Sequence, residues 1–343
     1  MQQSVWRLQK YPTGIPTDKD IVLHQEPIPD LKEHEIKIKT LYISMDPANR
    51  LWIRREGSYI PPFPLGSIMP AITIGEVVES RHPRYQVGQK VQGIFGWQEY
   101  IIQHAGPLNE QLPLDNGGIV MIPEPEQGCD LIDNFGLFGV HGMTAYFGIT
   151  DVGKAQAGDT VLVSAAAGAI GSLVVQIAKN MGCRVIGIAG GPKKCSRVVK
   201  EFGADACIDY KHEDIHFRLQ ELAPQGVNVY FDNVGGEILE AAIDNMARYG
   251  RIAFCGAISQ YNGTTPASPK NYMQILYREL EVNGFLAFRY AEKMPEAVKV
   301  MKQWQSEGRL HMNMECHEGI ENLLNVFTKL FISENQGKLV VKI

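Results

Sequence analysis

The sequence predicts an α/β protein in which a β-rich segment is followed by a doubly wound parallel sheet. Between Glu35 and Gln103, runs of alternating polar and apolar residues follow one another between Pro and Gly turns, as in half-buried strands. After about Leu137, apolar strands alternate with glycine turns and amphipathic helices, which indicates βαβ units. From about Met312 a further helix and strand follow, GIENLLNVFTKLF and GKLVVKI.

The β-rich part contains three clear strand segments, EIKIKTLYI, ITIGEVVES and KVQGIFGWQEYIIQ. Their period of two predicts that one face of each strand packs on a core. The second part consists of repeated strand–helix pairs: VLVS with the helix after it, CRVIGIAG with KKCSRVVKEFG, ACIDY with a helix, VNVYFDNVGG with ILEAAIDNMARYG, and finally the strand RIAFCG. Because these strands are apolar throughout, we expect helices to cover both faces of their sheet.

The composition favours small-molecule ligands over nucleic acids and membranes. The 343 residues are 45% hydrophobic and 21% charged, with a formal net charge of −5 and no cluster of five Lys or Arg. The N-terminal stretch MQQSVWRLQKYPTG lacks the apolar segment of a secretory signal, and the most apolar window, 161–178, is interrupted by polar residues and glycines. The six cysteines are scattered without a Cys-x-x-Cys pair, so we expect a reduced protein in the cytoplasm.

The stretch VLVSAAAGAIGSLVVQIA predicts a strand, a turn of small residues and a helix. In a dinucleotide site of the form Gly-x-Gly-x-x-Gly, the second glycine lets the backbone approach the pyrophosphate and the third lets helix and strand pack closely. Gly168 and Gly171 keep these two positions, whereas Ala166 replaces the first glycine, so the turn there must suit an L-residue. The alternative is a turn that only joins strand to helix.

The end of the next strand favours NADP(H) over NAD(H). An NAD site places an acidic residue there to accept the ribose hydroxyls, but this sequence reads GIAGGPKKC, with Lys193 and Lys194 instead. A lysine attracts a 2′-phosphate that a carboxylate would repel. The alternative is that both lysines only decorate the start of a helix.

Two other types of chemistry receive no support. HEDIH, from His212 to His216, matches the zinc motif His-Glu-x-x-His, but it lies where a strand gives way to a helix, so we expect His212 to precede the first turn and no metal to bind. There is no Gly-x-Ser-x-Gly motif for a serine hydrolase. ITIGEVVES lacks the Gly-His-Glu of a catalytic-zinc dehydrogenase, so hydride chemistry here would proceed without metal.

Several stretches together resemble one family: YPTGIP, LYISMDPANR, GWQEYII, GMTAYFGI, AAAGAIGS, FDNVGGEIL, RIAFCGAISQYN and NQGKLVVKI. The family is the zinc-independent branch of the medium-chain dehydrogenase/reductases that includes the prostaglandin, leukotriene and alkenal double-bond reductases and the bacterial curcumin reductases. CGAISQYN and FDNVGG are the most specific of these stretches. The resemblance implies a GroES-like substrate domain, residues 1–126 and 312–343, a Rossmann NADP-binding domain, residues 127–311, and a homodimer.

Matching positions then imply a set of cofactor-binding residues. The pyrophosphate would lie on the glycine turn, the 2′-phosphate on a lysine and a tyrosine, and the ribose and nicotinamide on loops from several strands. In chain order these residues are Gly168, Ala169, Ile170, Gly171, Lys194, Tyr210, Asn233, Cys255, Gly256, Ala257, Ile258, Ser259, Phe285, Leu286, Ala287 and Asn335.

The resemblance implies NADPH-dependent reduction of the carbon–carbon double bond of an α,β-unsaturated ketone or aldehyde. Tyr261 is the candidate donor to the carbonyl oxygen on which charge develops, a ribose hydroxyl that it positions being the alternative, and the α-carbon proton comes from water or a tyrosine. Tyr42, Trp52 and Tyr59 are candidates for an apolar enone pocket, core packing being the alternative for each. Quinone reduction and a non-catalytic NADPH-binding role are the competing hypotheses.

The sequence departs from the family pattern in two places. DPANR has Ala48 and Asn49 where the family commonly has a tyrosine and a methionine, and GVHGMTAY has Val140 and His141 where it has Met-Pro. Both departures leave the cofactor residues intact and leave the identity of the substrate open.

Overall fold

The computed structural model describes the whole chain except residues 57, 107–117, 124, 126–128 and 264–267. The strands in chain order are β1 (Gln2–Leu8), β2 (Ile21–Pro27), β3 (Glu35–Ser44), β4 (Ile72–Ser80), β5 (Lys90–Ile94), β6 (Tyr100–His104), β7 (Val120–Ile122), β8 (Thr160–Val163), β9 (Arg184–Ala189), β10 (Ala206–Asp209), β11 (Val227–Asp232), β12 (Met246–Phe254), β13 (Glu281–Gly284), β14 (Met314–Glu318) and β15 (Lys338–Lys342).

The α-helices in chain order are α1 (Pro47–Trp52), α2 (Val140–Phe147), α3 (Ala169–Asn180), α4 (Pro192–Lys200), α5 (Ile215–Leu222), α6 (Gly236–Asp244), α7 (Met273–Tyr277), α8 (Met294–Ser306) and α9 (Leu323–Thr328). Over the described residues, no helix combines the length and apolar character needed to cross a membrane.

The chain divides into two compact units. Unit 1 comprises residues 1–134, 314–335 and 339–343, and unit 2 comprises residues 135–313 and 336–338. The first change of unit follows Asn134, eight residues later than the sequence-based boundary after residue 126. The intervening 3₁₀ turn, Leu131–Asn134, is the part of the chain that sequence periodicity could not assign.

Unit 1 is built on a seven-stranded sheet in the order β14-β15-β3-β4-β5-β7, in which β6 also pairs with β3. The strands β1 and β2 form a separate antiparallel pair. One apolar cluster, which includes Ile43 and Trp97, packs beneath helix α9, and a second surrounds Ile38 and Val91. The predicted β-rich character of this part of the chain is confirmed.

The segment KVQGIFGWQEYIIQ forms two strands rather than one. β5 ends at Ile94 and β6 begins at Tyr100, with Gly96 in the left-handed region at φ 78° between them. A Cβ at Gly96 would lie 2.7 Å from the carbonyl oxygen of Met69, so only glycine fits this bend. The alternating pattern continued through the turn and concealed it.

Unit 2 is built on a six-stranded sheet in the order β10-β9-β8-β11-β12-β13, in which every pair is parallel. Residues of α2, α3 and α8 pack with one apolar cluster, and residues of α5 and α6 pack with another. The predicted parallel sheet with helices on both faces is thus confirmed. The strand order reverses between β8 and β11, and in open α/β sheets ligands bind beyond the carboxyl ends of the strands at such a point.

The segment ILEAAIDNMARYG is helical over a shorter range than its pattern predicts. Helix α6 ends at Asp244, and Met246 already belongs to β12. Tyr249 has φ 62°, and the register between β11 and β12 shifts beside it, so an irregular strand replaces the last predicted helical turn.

Candidate functional site

The glycine turn lies at the reversal point of the unit 2 sheet, between β8 and α3. Gly168 is the N-cap residue of α3 in an extended conformation, and a Cβ on Gly171 would lie 2.2 Å from the carbonyl oxygen of Ala165. Ala165 has φ 48°, whereas Ala166 is outside the left-handed region and is buried, its N–H donating to the Ile188 carbonyl. The unusual backbone conformation therefore falls one residue before the position of the missing glycine.

The start of α3 has the features of an anion site. Its first turn contains no acidic residue, and Ala169 and Ile170 are its first two residues. The first N–H groups of a helix have no intrahelical acceptor and carry the positive end of the helix dipole. Because Gly168 and Gly171 add no side chain at their two positions, the backbone of the four residues fits a pyrophosphate.

A second group of residues lies where β9 and β10 end side by side. Lys194 is in the first turn of α4, after Gly191 at φ 92°. A Cβ on Gly190 would lie 2.8 Å from Tyr210 Cε1 and 3.0 Å from Lys211 Cε, so both side chains lie over this glycine. Lys211 was missed by sequence reasoning, although its place beside Tyr210 at the end of a parallel strand was a usable signal.

Asp209, which was not among the predicted site residues, holds the backbone of this second group in place. Its Oδ1 accepts the N–H of Gly191 at 2.7 Å and of Lys211 at 3.1 Å, and its Oδ2 is 2.7 Å from Nδ1 of His212. Burial by itself raises the pKa of this carboxyl, but these hydrogen bonds outweigh burial and the pKa is lowered. The carboxylate is thus bound by donors of its own loops.

Two further loops follow the ends of β11 and β12. Asn233 donates through Nδ2 to the Ser164 carbonyl at 2.8 Å, and its own carbonyl accepts the N–H of Ile258 at 3.2 Å. The hydroxyl of Ser259 donates to the Val234 carbonyl at 2.6 Å. The structure therefore brings Asn233 together with the run from Cys255 to Tyr261.

Tyr261 is held against its own loop. Its hydroxyl oxygen accepts the N–H of Ala257 at 3.3 Å, and a Cβ on Gly256 would lie 2.7 Å from that oxygen. Gly256 thus leaves room for the hydroxyl.

Burial, with a smaller effect of the Asp232 charge, raises the pKa of the neighbouring Cys255 thiol to about 12, so this thiol stays protonated at neutral pH.

Asp232 joins these loops to the glycine turn, although it was not among the predicted site residues. The side chain is fully buried, and Oδ1 accepts hydrogen bonds from the Tyr230 and Ser164 hydroxyls and from the N–H groups of Val234 and Gly235. Burial raises its pKa, while the hydrogen bonds oppose that rise. The signal available in the sequence was the acid within FDNVGG, directly before the assigned Asn233.

The other predicted residues of unit 2 lie at the end of β13. Phe285 packs edge-to-face on Phe231, with ring centroids 6.1 Å apart, and Ala287 is buried, whereas Leu286 is 44% exposed. A Cβ on Gly148 would lie 2.5 Å from each of the two phenyl rings, so Phe285 is a packing residue in this unit. Asn335 belongs to unit 1.

The predicted pocket residues lie in unit 1. Trp52 donates through Nε1 to the Tyr59 hydroxyl at 2.8 Å and stacks on Phe63, with ring centroids 6.4 Å apart. Trp52 is buried and Tyr59 is 42% exposed, so Tyr59 provides the exposed surface of this pair. Tyr42 lies in β3 opposite Ile74 and is not part of that pair.

Two of the residues that depart from the family pattern, Asn49 and His141, are buried and hydrogen-bonded. Asn49 is fully buried in α1, and its Oδ1 accepts the Asp46 N–H at 3.0 Å, closing the start of that helix. His141 is buried in α2 of unit 2, and its Nδ1 lies 2.6 Å from the Phe135 carbonyl oxygen. Both side chains therefore have structural contacts in their own units.

The His-Glu-x-x-His segment lies where expected. His212 precedes α5, whose N-cap residue is Asp214, and His216 lies in the first turn of the helix. The His212 ring contacts Asp209, and the His216 ring contacts Gln220 and Asn245. Within the part of the chain that the structure describes, no three His, Cys, Asp or Glu side chains are grouped as a metal site.

Comparisons with known proteins agree with this architecture. Residues 4–110 match the family model "N-terminal domain of oxidoreductase", and residues 169–303 match "Zinc-binding dehydrogenase". Among solved structures, CurA from Vibrio vulnificus in complex with NADPH has a TM-score of 0.90 and 34% identity, over 99% of this chain and 98% of that one. An Escherichia coli quinone oxidoreductase, 20% identical with a TM-score of 0.76, shares the fold.

Curated relatives extend over almost the whole chain. An NADPH-dependent curcumin reductase of Escherichia coli is 33% identical, over 98% of this chain and 96% of its own length. Prostaglandin reductase 1 of Bos taurus is 37% identical, over 98% of both chains. The predicted resemblance and the GroES-like plus Rossmann fold are confirmed, and the chain belongs to the prostaglandin reductase and curcumin reductase family of medium-chain dehydrogenase/reductases.

Proposed function

We propose that this protein is an NADPH-dependent reductase of the carbon–carbon double bond in α,β-unsaturated ketones and aldehydes, acting without a metal. The observation that carries the proposal is the convergence of two groups of residues at the reversal point of the unit 2 sheet. One is the turn that contains Gly168 and Gly171, and the other is the pair of hydrogen-bonded loops that ends in Tyr261. Full-length relatives are named as NADPH-dependent curcumin and prostaglandin reductases.

NADP(H) is the proposed cofactor because its pyrophosphate and its 2′-phosphate each have matching residues. Gly168, Ala169, Ile170 and Gly171 would hold the pyrophosphate, and Lys194 and Tyr210 would hold the 2′-phosphate. A related CurA structure was solved in complex with NADPH. When bound, the dinucleotide supplies the hydride.

The protein's own part in the reaction is to stabilise developing charge. Addition to the β-carbon of an enone places negative charge on the carbonyl oxygen, and a donor aimed at that oxygen lowers the barrier. Tyr261 is the proposed donor. Its hydroxyl oxygen accepts the Ala257 N–H, which polarises the O–H bond and makes the hydroxyl a better donor.

An apolar enone requires an apolar surface to bind. We propose that Tyr59, which the buried Trp52 holds by a hydrogen bond, and Tyr42 contribute to such a surface. The hydrogen bond between Trp52 and Tyr59 fixes both rings, so the surface is formed before substrate arrives. Ala48, which replaces a tyrosine common in the family, lies in the same helix as Trp52 and leaves that neighbourhood with a smaller side chain.

Steady-state NADPH oxidation with a panel of enones and a panel of quinones, measured side by side, tests the proposal. We expect turnover of simple alkenones or curcumin-like diones, with product analysis finding a saturated carbonyl compound. An allylic alcohol product would contradict the mechanism. Turnover of quinones alone would favour quinone reduction, and NADPH binding without any turnover would favour a non-catalytic role.

We further propose that the protein is a cytoplasmic homodimer. All six cysteines are free thiols.

β13 is an edge strand of the unit 2 sheet, its four residues are all exposed, and Leu276 and Tyr277 beside it in the sequence are 67% and 65% exposed. An open edge with apolar neighbours suits pairing with a second copy. Light scattering that gives the mass of one chain at micromolar concentration would contradict the dimer.

A further inference from the structure

Two buried or nearly buried carboxylates occupy equivalent places in the unit 2 sheet. Asp209 is the last residue of β10, and Asp232 is the last residue of β11, so each lies at the carboxyl end of a parallel strand. Both accept several hydrogen bonds from loops at the carboxyl ends of the strands. Neither residue is among those the family resemblance assigned to the cofactor.

Asp232 connects three segments of the chain through one residue. Its Oδ1 accepts the Val234 and Gly235 N–H groups at 2.9 Å each and the Ser164 hydroxyl at 3.2 Å. Its backbone carbonyl accepts the N–H groups of Cys255 and Gly256 at 2.9 and 3.0 Å. The segments thus joined are the end of β8, the loop after β11 and the loop that leads to Tyr261.

Asp209 serves a different set of atoms. Its carboxylate accepts the Gly191 and Lys211 N–H groups and contacts the His212 ring. Its bonds therefore hold the backbone just before Lys194, at Gly191, and directly after Tyr210, at Lys211. Lys194 and Tyr210 are the proposed 2′-phosphate residues. None of the hydrogen bonds found for Asp209 reaches a segment that Asp232 holds.

We propose that Asp232 and Asp209 are separate positioning residues, Asp232 for the nicotinamide half of the cofactor site and Asp209 for the adenosine half. This inference rests on the cofactor placement proposed above. Each carboxylate accepts hydrogen bonds from N–H groups of adjacent loops at the end of a strand, and fixing a loop before binding removes the entropic penalty of ordering it on binding. Loss of either one weakens one half of the site and leaves the other half formed.

Removing Asp232 tests the nicotinamide half. For Asp232→Ala we expect NADPH affinity to fall by about 10-fold or more, while affinity for 2′,5′-ADP, which lacks the nicotinamide, changes by less than about twofold. The fluorescence of bound NADPH reports the surroundings of the nicotinamide and should move toward that of free NADPH. Asp232→Asn keeps an acceptor oxygen at the Oδ1 position, so we expect it to restore most of the affinity.

Removing Asp209 gives the opposite pattern. For Asp209→Ala we expect 2′,5′-ADP affinity to fall by about 10-fold, while the emission spectrum of NADPH bound at saturation stays that of the wild type. Calorimetry with 2′,5′-ADP and fluorescence titration with NADPH supply both measurements without any turnover. Absence of enone reduction would therefore count against the proposed reaction and not against this inference.

A matched pair of variants covers the case in which Asp232→Ala fails to fold. Tyr230→Phe and Ser164→Ala each remove one hydroxyl that donates to Oδ1 of Asp232, but only Ser164 also accepts the Asn233 N–H, at 2.9 Å. We expect Ser164→Ala to weaken NADPH binding by about threefold or more and Tyr230→Phe to leave it unchanged, with both lowering the Tm. Equal effects of these two variants on NADPH affinity, or equal losses of NADPH and 2′,5′-ADP affinity in Asp232→Ala, would overturn the proposal.

Discussion

Replacing Gly168 and Gly171 of the turn before α3 by alanine should have different effects on stability and on NADPH affinity. At Gly171, the added Cβ would lie 2.2 Å from the Ala165 oxygen, 2.8 Å from its carbonyl carbon and 2.9 Å from Ala166 Cα. These are backbone atoms, so no side chain can rotate away. At Gly168, the nearest atom is the Ala165 oxygen at 3.1 Å, and the extended φ of −82° suits an alanine.

The expected magnitudes follow from these distances. Forcing a methyl group into a packed site costs about 1–3 kcal/mol and more where the backbone must shift, whereas glycine to alanine in a helix gains about 1 kcal/mol. For Gly171→Ala the clash dominates, with a net loss of about 2 kcal/mol or more in the free energy of unfolding, or roughly 4–8 °C in Tm. For Gly168→Ala we expect a loss of about 1 kcal/mol or less, as for a weaker N-cap.

Ligand binding separates the two roles further. Gly168→Ala places a methyl group where the backbone is proposed to approach the pyrophosphate, so NADPH affinity should fall by about 10-fold or more in a protein that is almost as stable as the wild type. Thermal unfolding monitored by circular dichroism and fluorescence titration with NADPH measure the two effects. Equal Tm values for the two variants would refute the packing argument, and wild-type affinity in Gly168→Ala would refute the pyrophosphate role.

Three other predictions concern single contacts. Lys194→Ala should weaken NADPH binding by about 10- to 100-fold and leave NADH nearly unaffected, with Lys193→Ala as the control; equal losses for both cofactors would exclude the 2′-phosphate role. Tyr261→Phe should keep NADPH affinity and lower the rate with enones by about 10²-fold, and a variant as fast as the wild type would remove Tyr261 from the mechanism. Elemental analysis should find no stoichiometric zinc, and His212→Ala with His216→Ala should not change the metal content; zinc lost in that double variant would show a metal site.

The sequence was most informative where local pattern and chain topology coincide. Apolar strands that alternate with helices were enough to predict the parallel sheet, and the spacing of Gly168 and Gly171 located its turn. The pattern could not show that Ala165 would adopt the left-handed conformation, because a short turn distributes its strain according to the atoms around it. Periodicity also extended α6 beyond Asp244, because the apolar spacing of the helix continues into the irregular start of β12.

The main residues that the sequence did not predict are the buried acidic side chains that accept hydrogen bonds from the loops. Asp209 and Asp232 are separated from their partners by as many as 68 residues, as in the bond between Ser164 and Asp232. A sequence shows that an acid follows a strand, but only the fold shows which N–H groups surround it. Lys211, beside Tyr210, was overlooked for the same reason, since its neighbour Gly190 lies in the loop that follows another strand, β9.

The position of β15 in the unit 1 sheet has a consequence for synthesis on the ribosome. β15 lies between β14 and β3 and its first four residues are buried, yet it is translated after every strand of the unit 2 sheet. A nascent chain can therefore close the unit 2 sheet while the end of β3, residues 42–44, still lacks its partner β15, so the order of folding need not follow the order of translation. Until residue 342 leaves the exit tunnel, the unpaired edge at residues 42–44 of β3 can pair with other chains, and nascent chains paused before this point should be bound by chaperones that recognise open strands.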